Sequence, residues 1–305
     1  MRVALLYEHP TWSIALVARM REREIDVTPI DVGALSGSRV AIDGHYDIWA
    51  NRVNTMPSAG RPHSVVAATA HLLLSLEARG ERVFNGARTY ALGGSKAAQA
   101  ELFAHLGLHT PSTIPVQQAD DLRAAADLIG FPILSKPNIG GSGAGIARYD
   151  TAEQLDSSIR SGQVDLGTDG TGVGQRVINS ADGFVHRIEM LHGELLYATR
   201  QPIQEGAFNY CAADGCAIDG GADSIEIVEP ATELVGQAAE IMRAASADVG
   251  SVEYLVDADG GGPCFYDFNP YSNFITDHDH KLGFDPIDRY IDALMSTGHS
   301  PNWPL

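Results

Sequence analysis

The chain has 305 residues, 44% of them hydrophobic and 20% charged, ordinary proportions for a globular protein of two or three packed units. Its formal net charge of -18, from 21 Lys and Arg against 39 Asp and Glu, argues against nucleic acid or an anionic membrane as partner, because both need clustered cations. No apolar run approaches the ~20 residues needed to span a bilayer, and three sparse cysteines, Cys211, Cys216 and Cys264, fit a reducing cytoplasm.

Arg2–Tyr7 reads as a buried first strand rather than a signal peptide. Residues 12–23 carry Ile14, Ala15, Val17, Ala18 and Met20 at helical spacing. Residues 25–30 and 46–53 read as strands, 64–79 as a strong helix, and Val83–Phe84 as a short strand. This rhythm predicts an open, mostly parallel α/β sheet over residues 1–90. A second unit, 91–170, opens with Ser95 as cap of a helix to about Leu106, with Gly107 just beyond. A strand from Pro111, a helix over 120–129 and a strand over 131–136 follow, then a Gly-rich loop, 138–145, that leads back into a strand as a hairpin. The third unit, 171–305, carries strands over 173–178, 185–191, 194–200, 251–256 and 264–269 and a helix over 232–248. The turn at His192-Gly193 predicts an antiparallel sheet, so the C-terminal half is α+β.

Three groups of residues carry chemistry. Lys136 ends a strand and precedes Gly140, Gly141, Ser142, Gly143 and Gly145. Such glycines let backbone N–H groups approach phosphate oxygens, and the lysine supplies a point charge. The Walker pattern places its lysine after the glycines, and the dinucleotide fingerprint needs a strand-to-helix turn, so neither applies. A flexible hairpin explains this segment equally well. Near the C-terminus, Glu253 in one strand can face Asp267 in the next, and Asp267 and Asn269 share a face. Two carboxylates and an amide oxygen suit Mg2+ bound together with phosphates. Arg187 and Arg200 lie in adjacent strands, and counting back from the turn puts them on one face. Arginine there suits a transferring phosphoryl group or a substrate carboxylate; a salt bridge from Arg187 to Glu189 or Asp182 is the alternative. His278 and His280 read as surface residues of a loop. Cys211 and Cys216 lack the second pair that would complete a zinc site.

These pieces, in this order, resemble the ATP-grasp superfamily, and within it the RimK-like and glutathione-synthetase-like carboxylate–amine ligases. The match runs through most of the chain. It rests on Arg52 after the third strand, Phe84-Asn85-Gly86 followed by Ser95-Lys96, Leu106 to Thr113, Phe131 to Pro137, and Asp267-Phe268-Asn269-Pro270. The resemblance implies an N-terminal parallel α/β domain followed by two α+β subdomains that sandwich ATP. Lys96 and Lys136 would contact its phosphates, beneath a lid of Gly140 to Gly145. Gln175, Arg176, Val177 and Ile178 would bind adenine through the backbone, and Asn209 would neighbour phosphate or metal. Glu253, Asp267 and Asn269 would hold two Mg2+ ions, for which Mn2+ can substitute. Arg187 and Arg200 would be catalytic, and Arg52 and Asn273 would face substrate.

The implied reaction joins a carboxylate to an amine through an acyl phosphate, on an amino acid or small peptide, in a homodimer or homotetramer. A small-molecule phosphotransferase and a non-catalytic nucleotide-binding protein are the alternatives. Where relatives commonly have Glu, this chain has Asp267, one methylene shorter, and Arg176 stands where an acidic residue is usual.

Overall fold

The computed structural model describes residues 1–34, 45–56, 61–141, 143–203 and 224–296. Ser142, Asn209, Cys211 and Cys216 lie outside them.

Strands Arg2–Tyr7 (β1), Asp26–Asp31 (β2), Ile48–Arg52 (β3) and Val83–Phe84 (β4) form a parallel sheet in the order β2-β1-β3-β4. Its helices are Ile14–Glu22 (α1), Ser64–Ala78 (α2) and Ala87–Gly93 (α3). Then come Lys96–His105 (α4), Thr113–Val116 (β5), Asp121–Ile129 (α5), Ile133–Pro137 (β6), Ala147–Tyr149 (β7), Ala152–Arg160 (α6) and Gly172–Arg176 (β8). Phe184–Leu191 (β9), Glu194–Pro202 (β10), Glu226–Val228 (β11), Thr232–Ala245 (α7), Val249–Asp257 (β12), Gly262–Asn269 (β13), His278–Lys281 (α8) and Pro286–Ser296 (α9) complete the described elements.

β1 and β3 sit at the centre of the first sheet and are buried on both faces, which is why both are apolar almost throughout. On one face Val3, Leu5, Ile48 and Ala50 meet Leu16, Val17 and Met20 of α1 and Tyr290, Ile291 and Leu294 of α9. On the other, Ala4, Leu6 and Trp49 meet Val65, Leu73 and Leu76 of α2. The last described helix thus returns to the first sheet.

The second sheet is antiparallel, in the order β5-β8-β6-β7, and packs on α5 and α6. The strand expected at 173–178 in the third unit belongs here as β8. It pairs with β5 and β6, and Gly174 accommodates this: a Cβ there would stand 2.8 Å from the Ala125 side chain, so glycine lets β8 lie flat against α5. β6 and β7 form the expected hairpin around the Gly-rich loop.

The third sheet is antiparallel, in the order β11-β10-β9-β12-β13. Ile188, Met190, Ala198, Val252, Tyr254, Phe265 and Phe268 pack on Ala238, Ile241 and Met242 of α7 and on Phe103 of α4. The opposite face carries Arg187, Glu189, Thr199, Ser251, Glu253 and Asp267. Strand alternation therefore gives one apolar face and one polar face. A bulge at Tyr266 lets Phe265 and Phe268, three residues apart, share the core, while Asp267 stays opposite Glu253.

Asn85 joins the first sheet to the third. Its backbone is left-handed, φ 55°, a region that asparagine tolerates. Its side chain donates to the carbonyls of Val249 at 2.8 Å and Pro270 at 2.7 Å, and accepts from the N–H groups of Asp248 at 2.8 Å and Val249 at 3.1 Å. Replacing it with alanine strips partners from several buried backbone groups. Asn85→Ala should lower stability by about 3 kcal/mol, from unfulfilled buried hydrogen bonds; urea unfolding followed by circular dichroism measures it.

Candidate active site

Lys96 from α4 and Lys136 from β6 reach the polar face of the third sheet. Ser95 caps α4 by accepting from the Ala98 N–H at 3.2 Å, and this fixes Lys96 in the first helical position. Asn138, just beyond β6, ties the start of the Gly-rich loop to the same helix end: its Oδ1 accepts from Ala97 N–H at 3.1 Å and from the Ser95 hydroxyl at 3.1 Å. Lys96 Nζ reaches Asp267 Oδ1 at 2.7 Å. Lys136 projects from β6 with its Nζ 5.4 Å from the centre of the Tyr266 ring.

The sheet contributes the acidic half. Glu253 lies directly opposite both Asp267 on β13 and Arg187 on β9. Arg187 donates to Glu253 Oε1 at 3.0 Å and to Glu189 Oε1 at 2.7 Å. Tyr266, which sits in the bulge, donates to Glu253 Oε2 at 2.8 Å. Asn269 donates to Asp267 Oδ2 at 3.3 Å, so the two side chains share a face as expected. Glu189 Oε2 and Ser251 Oγ, on opposing residues, are buried without partners.

Burial dominates the electrostatics. It lowers the Lys136 pKa to about 8, assisted by the nearby Lys96 charge and opposed by Asp267 and Glu253. Burial likewise pushes the Glu253 carboxyl above the usual carboxylate range, against the pull of Arg187. For Arg187 burial acts downward, but the Glu189 and Glu253 carboxylates outweigh it and hold the guanidinium charged. Cys264 is pushed up to about 12 by burial and is an inert thiol.

Glu253, Asp267 and Asn269 form a set of hard oxygen donors, held by cationic or neutral donors that a divalent ion can displace. That chemistry fits Mg2+ better than a soft metal. Among the described residues, no group of three or more His, Cys, Asp or Glu side chains could hold a metal ion; the set here has two carboxylates and an amide. In the Gly-rich loop, Gly143 and Gly145 have φ of 72° and 73°, which favour glycine. Gly140 and Gly141 do not; a Cβ at either would make only ordinary contacts, with Pro137 and Met56 as nearest neighbours. Internal packing gives no reason for glycine at 140 and 141, whereas an approaching phosphate would.

Arg200 does not join Arg187. Their register is Arg187 opposite Thr199 and Arg200 opposite His186, so the two arginines point to opposite faces. Counting from the turn fails because a bulge between Leu195 and Tyr197 inserts one residue and flips the parity of β10. Arg200 instead pairs with Glu226 at 2.7 Å and lies over the Phe184 ring. Arg187 makes the Glu189 bridge that was its alternative reading, but it also grips Glu253; Asp182 pairs with His186.

Arg52 is only 5% exposed. It stacks on Tyr271 and donates to the Ser272 carbonyl at 2.8 Å, so it holds the segment that follows β13, next to Asn273. Gln175 is buried and donates to Thr113 Oγ1 at 2.9 Å, while the exposed Arg176 bridges to Asp259. Val177 and Ile178 lie past the end of β8, half-buried. Both histidines lie in α8 rather than in a loop; His280 is exposed, as expected, and His278 is half-buried 3.7 Å from Asp285. Sequence reasoning missed Tyr266, Asn138 and Gln99. Only Gln99 carried a signal, its spacing of three from Lys96 on one helix.

No family model matches the chain, and no curated protein matches it in sequence. Solved structures do. A RimK domain ATP-grasp protein from Sphaerobacter thermophilus is 17% identical, with TM-score 0.68, over 97% of this chain and 100% of that one. D-alanine–D-alanine ligase from Bacillus anthracis, complexed with ATP, is 16% identical, with TM-score 0.69, over 98% of this chain and 97% of that one. The ATP-grasp ligase PsnB, complexed with a variant of its minimal precursor, Mg and ADP, is 16% identical, with TM-score 0.67, over 97% and 98%. The fold is thus the ATP-grasp fold. No helix among the described residues is long and apolar enough to cross a membrane.

The lowered Lys136 pKa would couple a phosphate bound beside it to proton uptake. At pH 8.5 a large share of Lys136 is neutral in the free protein, and a phosphate oxygen brought beside it would favour its ammonium form. ATP binding at pH 8.5 should therefore take up on the order of half a proton or more, and much less at pH 6.5. Titration calorimetry in two buffers of different ionisation heat measures this; release of protons at pH 8.5 contradicts it.

Proposed function

We propose that this chain is an ATP- and Mg2+-dependent ligase that joins a carboxylate to an amine through an acyl phosphate. The observation that carries the reading is the meeting of Lys96 and Asp267, 171 residues apart, with Lys136, Glu253 and Arg187 around them. Cations on one flank and hard oxygen donors on the other are what a triphosphate and its metal require. The ATP-grasp fold of the ligases above supports the same assignment.

In this reading a substrate carboxylate oxygen attacks the γ-phosphorus, ADP leaves, and an acyl phosphate forms. The amine then attacks the acyl carbon, phosphate leaves, and an amide remains. Lys96, Lys136 and Arg187 offset charge on the transferring phosphoryl group. Glu253, Asp267 and Asn269 would hold Mg2+, two ions in all, with Mn2+ as a substitute. Bound there, Mg2+ neutralises phosphate charge and orients the γ-phosphoryl group. The loop from Gly140 to Gly145 covers the intermediate and excludes water, which would hydrolyse it. Val177 and Ile178, with Gln175 and Arg176, offer backbone atoms to adenine. Arg52 acts on substrate through the Tyr271–Ser272 segment that it holds and that carries on to Asn273. The substrates are an amino acid or small peptide and a second amine, and the protein acts in the cytoplasm as a homodimer or homotetramer.

An ADP-release screen over pairs of amino acids, with mass spectrometry of products, tests the reading. Loss of water between two substrates marks a ligase; a stable phosphorylated product marks a phosphotransferase. Lys136→Ala and Asp267→Ala should each lower ADP formation at least about 100-fold, the scale of losing one transition-state charge contact, while circular dichroism remains native. Wild-type turnover in either variant would remove the site.

A further inference from the structure

β13 pairs with β12 on one side only and is an edge of the third sheet. Its outward N–H and C=O groups need other partners, since they are buried. At Phe268 the partner is one side chain. Gln99 Nε2 donates to the Phe268 carbonyl at 3.0 Å, and Gln99 Oε1 accepts from the Phe268 N–H at 3.0 Å. The same Nε2 donates to the Leu92 carbonyl at 2.9 Å. Gln99 is 1% exposed, so water does not compete for these bonds. Its amide does what a neighbouring strand would do, through one acceptor and one donor in a fixed plane.

The position of this clamp matters. Phe268 lies between Asp267 and Asn269, and Gln99 lies one helical turn beyond Lys96 on α4. A single turn of helix thus carries the cation that pairs with Asp267 and the amide that fixes the backbone between two of the oxygen donors. A shift of β13 along its axis would move both donors together; from the open edge it is opposed by Gln99 beside the donors and, three residues earlier, by the Phe265 N–H bond to the His109 carbonyl at 2.9 Å.

We propose that Gln99 is a positioning residue: it sets the spacing of the Asp267 and Asn269 oxygens from Lys96, and so the affinity of the site for Mg2+ in the presence of nucleotide. This rests on the reading of Glu253, Asp267 and Asn269 as the metal site. Glutamate is the informative substitution. When neutral, its carboxyl can accept from the Phe268 N–H and donate to a carbonyl, as glutamine does. When ionised it accepts only, and it faces the Phe268 and Leu92 carbonyls with a negative charge. Burial raises the pKa of such a carboxyl, so the neutral form is populated as pH falls.

The test is the Mg2+ concentration that half-saturates ATP binding, measured by calorimetry at pH 6 and pH 8.5 for the full-length wild type, Gln99→Leu and Gln99→Glu. Gln99→Leu should raise it about tenfold at both pH values, the scale of one lost buried hydrogen bond. Gln99→Glu should raise it about tenfold at pH 8.5 and return to within about threefold of wild type at pH 6. A merely structural loss would lower stability without this pH-dependent rescue. If Gln99→Leu does not fold, Gln99→Met replaces it, since it keeps the length and removes both hydrogen bonds to Phe268. A Mg2+ requirement unchanged in the apolar variant, or a Gln99→Glu deficit the same at both pH values, overturns the role of Gln99 and leaves the ligase reading intact. A wild type that binds no ATP at any Mg2+ concentration overturns both.

Discussion

The ion pair between Lys96 and Asp267, at 2.7 Å, is the interaction around which the molecule is organised. It joins the first turn of α4 to the edge strand of the third sheet. Around it, Lys96, Lys136 and Arg187 face Glu189, Glu253 and Asp267, three cations against three carboxylates. Removing such groups from water is costly unless opposite charges meet; Lys96 and Arg187 meet carboxylates directly, while burial lowers the Lys136 pKa to about 8. A chain with 21 cationic residues against 39 acidic ones has gathered three of them at one place. A triphosphate with its metal offers the same two signs of charge, so on the proposed reading entry of both together would let each side exchange one partner for another.

What makes the pairing possible is the two-faced third sheet. Ile188, Met190, Val252 and Phe268 bury one face on α7, which fixes where every alternate residue must point. The polar set is then presented as a plane, not a collection of loops. Asn85 and Gln99 complete the arrangement by holding the backbone at either side of β13, one through Pro270 and the other through Phe268. Both are buried amides with donors and acceptors in use, the kind of polar group that specifies one packing over others.

Much of this was legible in the sequence because it depends on local periodicity and composition. β1, β3, α2 and α4 lie within about two residues of expectation, since their apolar patterns and the Ser95 cap are local signals. The meeting of Glu253 with Asp267 followed from reading β12 and β13 as a hairpin. What failed depended on a single inserted residue or on contacts far along the chain. The β10 bulge carries no mark in Leu195-Leu196-Tyr197, and it moved Arg200 to the other face. The pairing of β8 with β5 and β6 brings Gly174 against Ala125, and the return of α9 to the first sheet packs Tyr290, Ile291 and Leu294 on it, contacts that lie far apart along the chain. The helices α3 and α6 are too short for a clear apolar period, although Thr151 caps α6 by accepting from the Gln154 N–H.

Electron paramagnetic resonance of Mn2+ titrated into the protein, with and without ATP, probes the exchange of partners most directly. While Lys96 and Arg187 occupy the carboxylates, Mn2+ alone should bind weakly; with ATP present it should bind at least about 100-fold more tightly, a coupling of about 3 kcal/mol. Mn2+ that binds equally well without nucleotide, or ATP that binds equally well without metal, contradicts a site whose charges must change partners together.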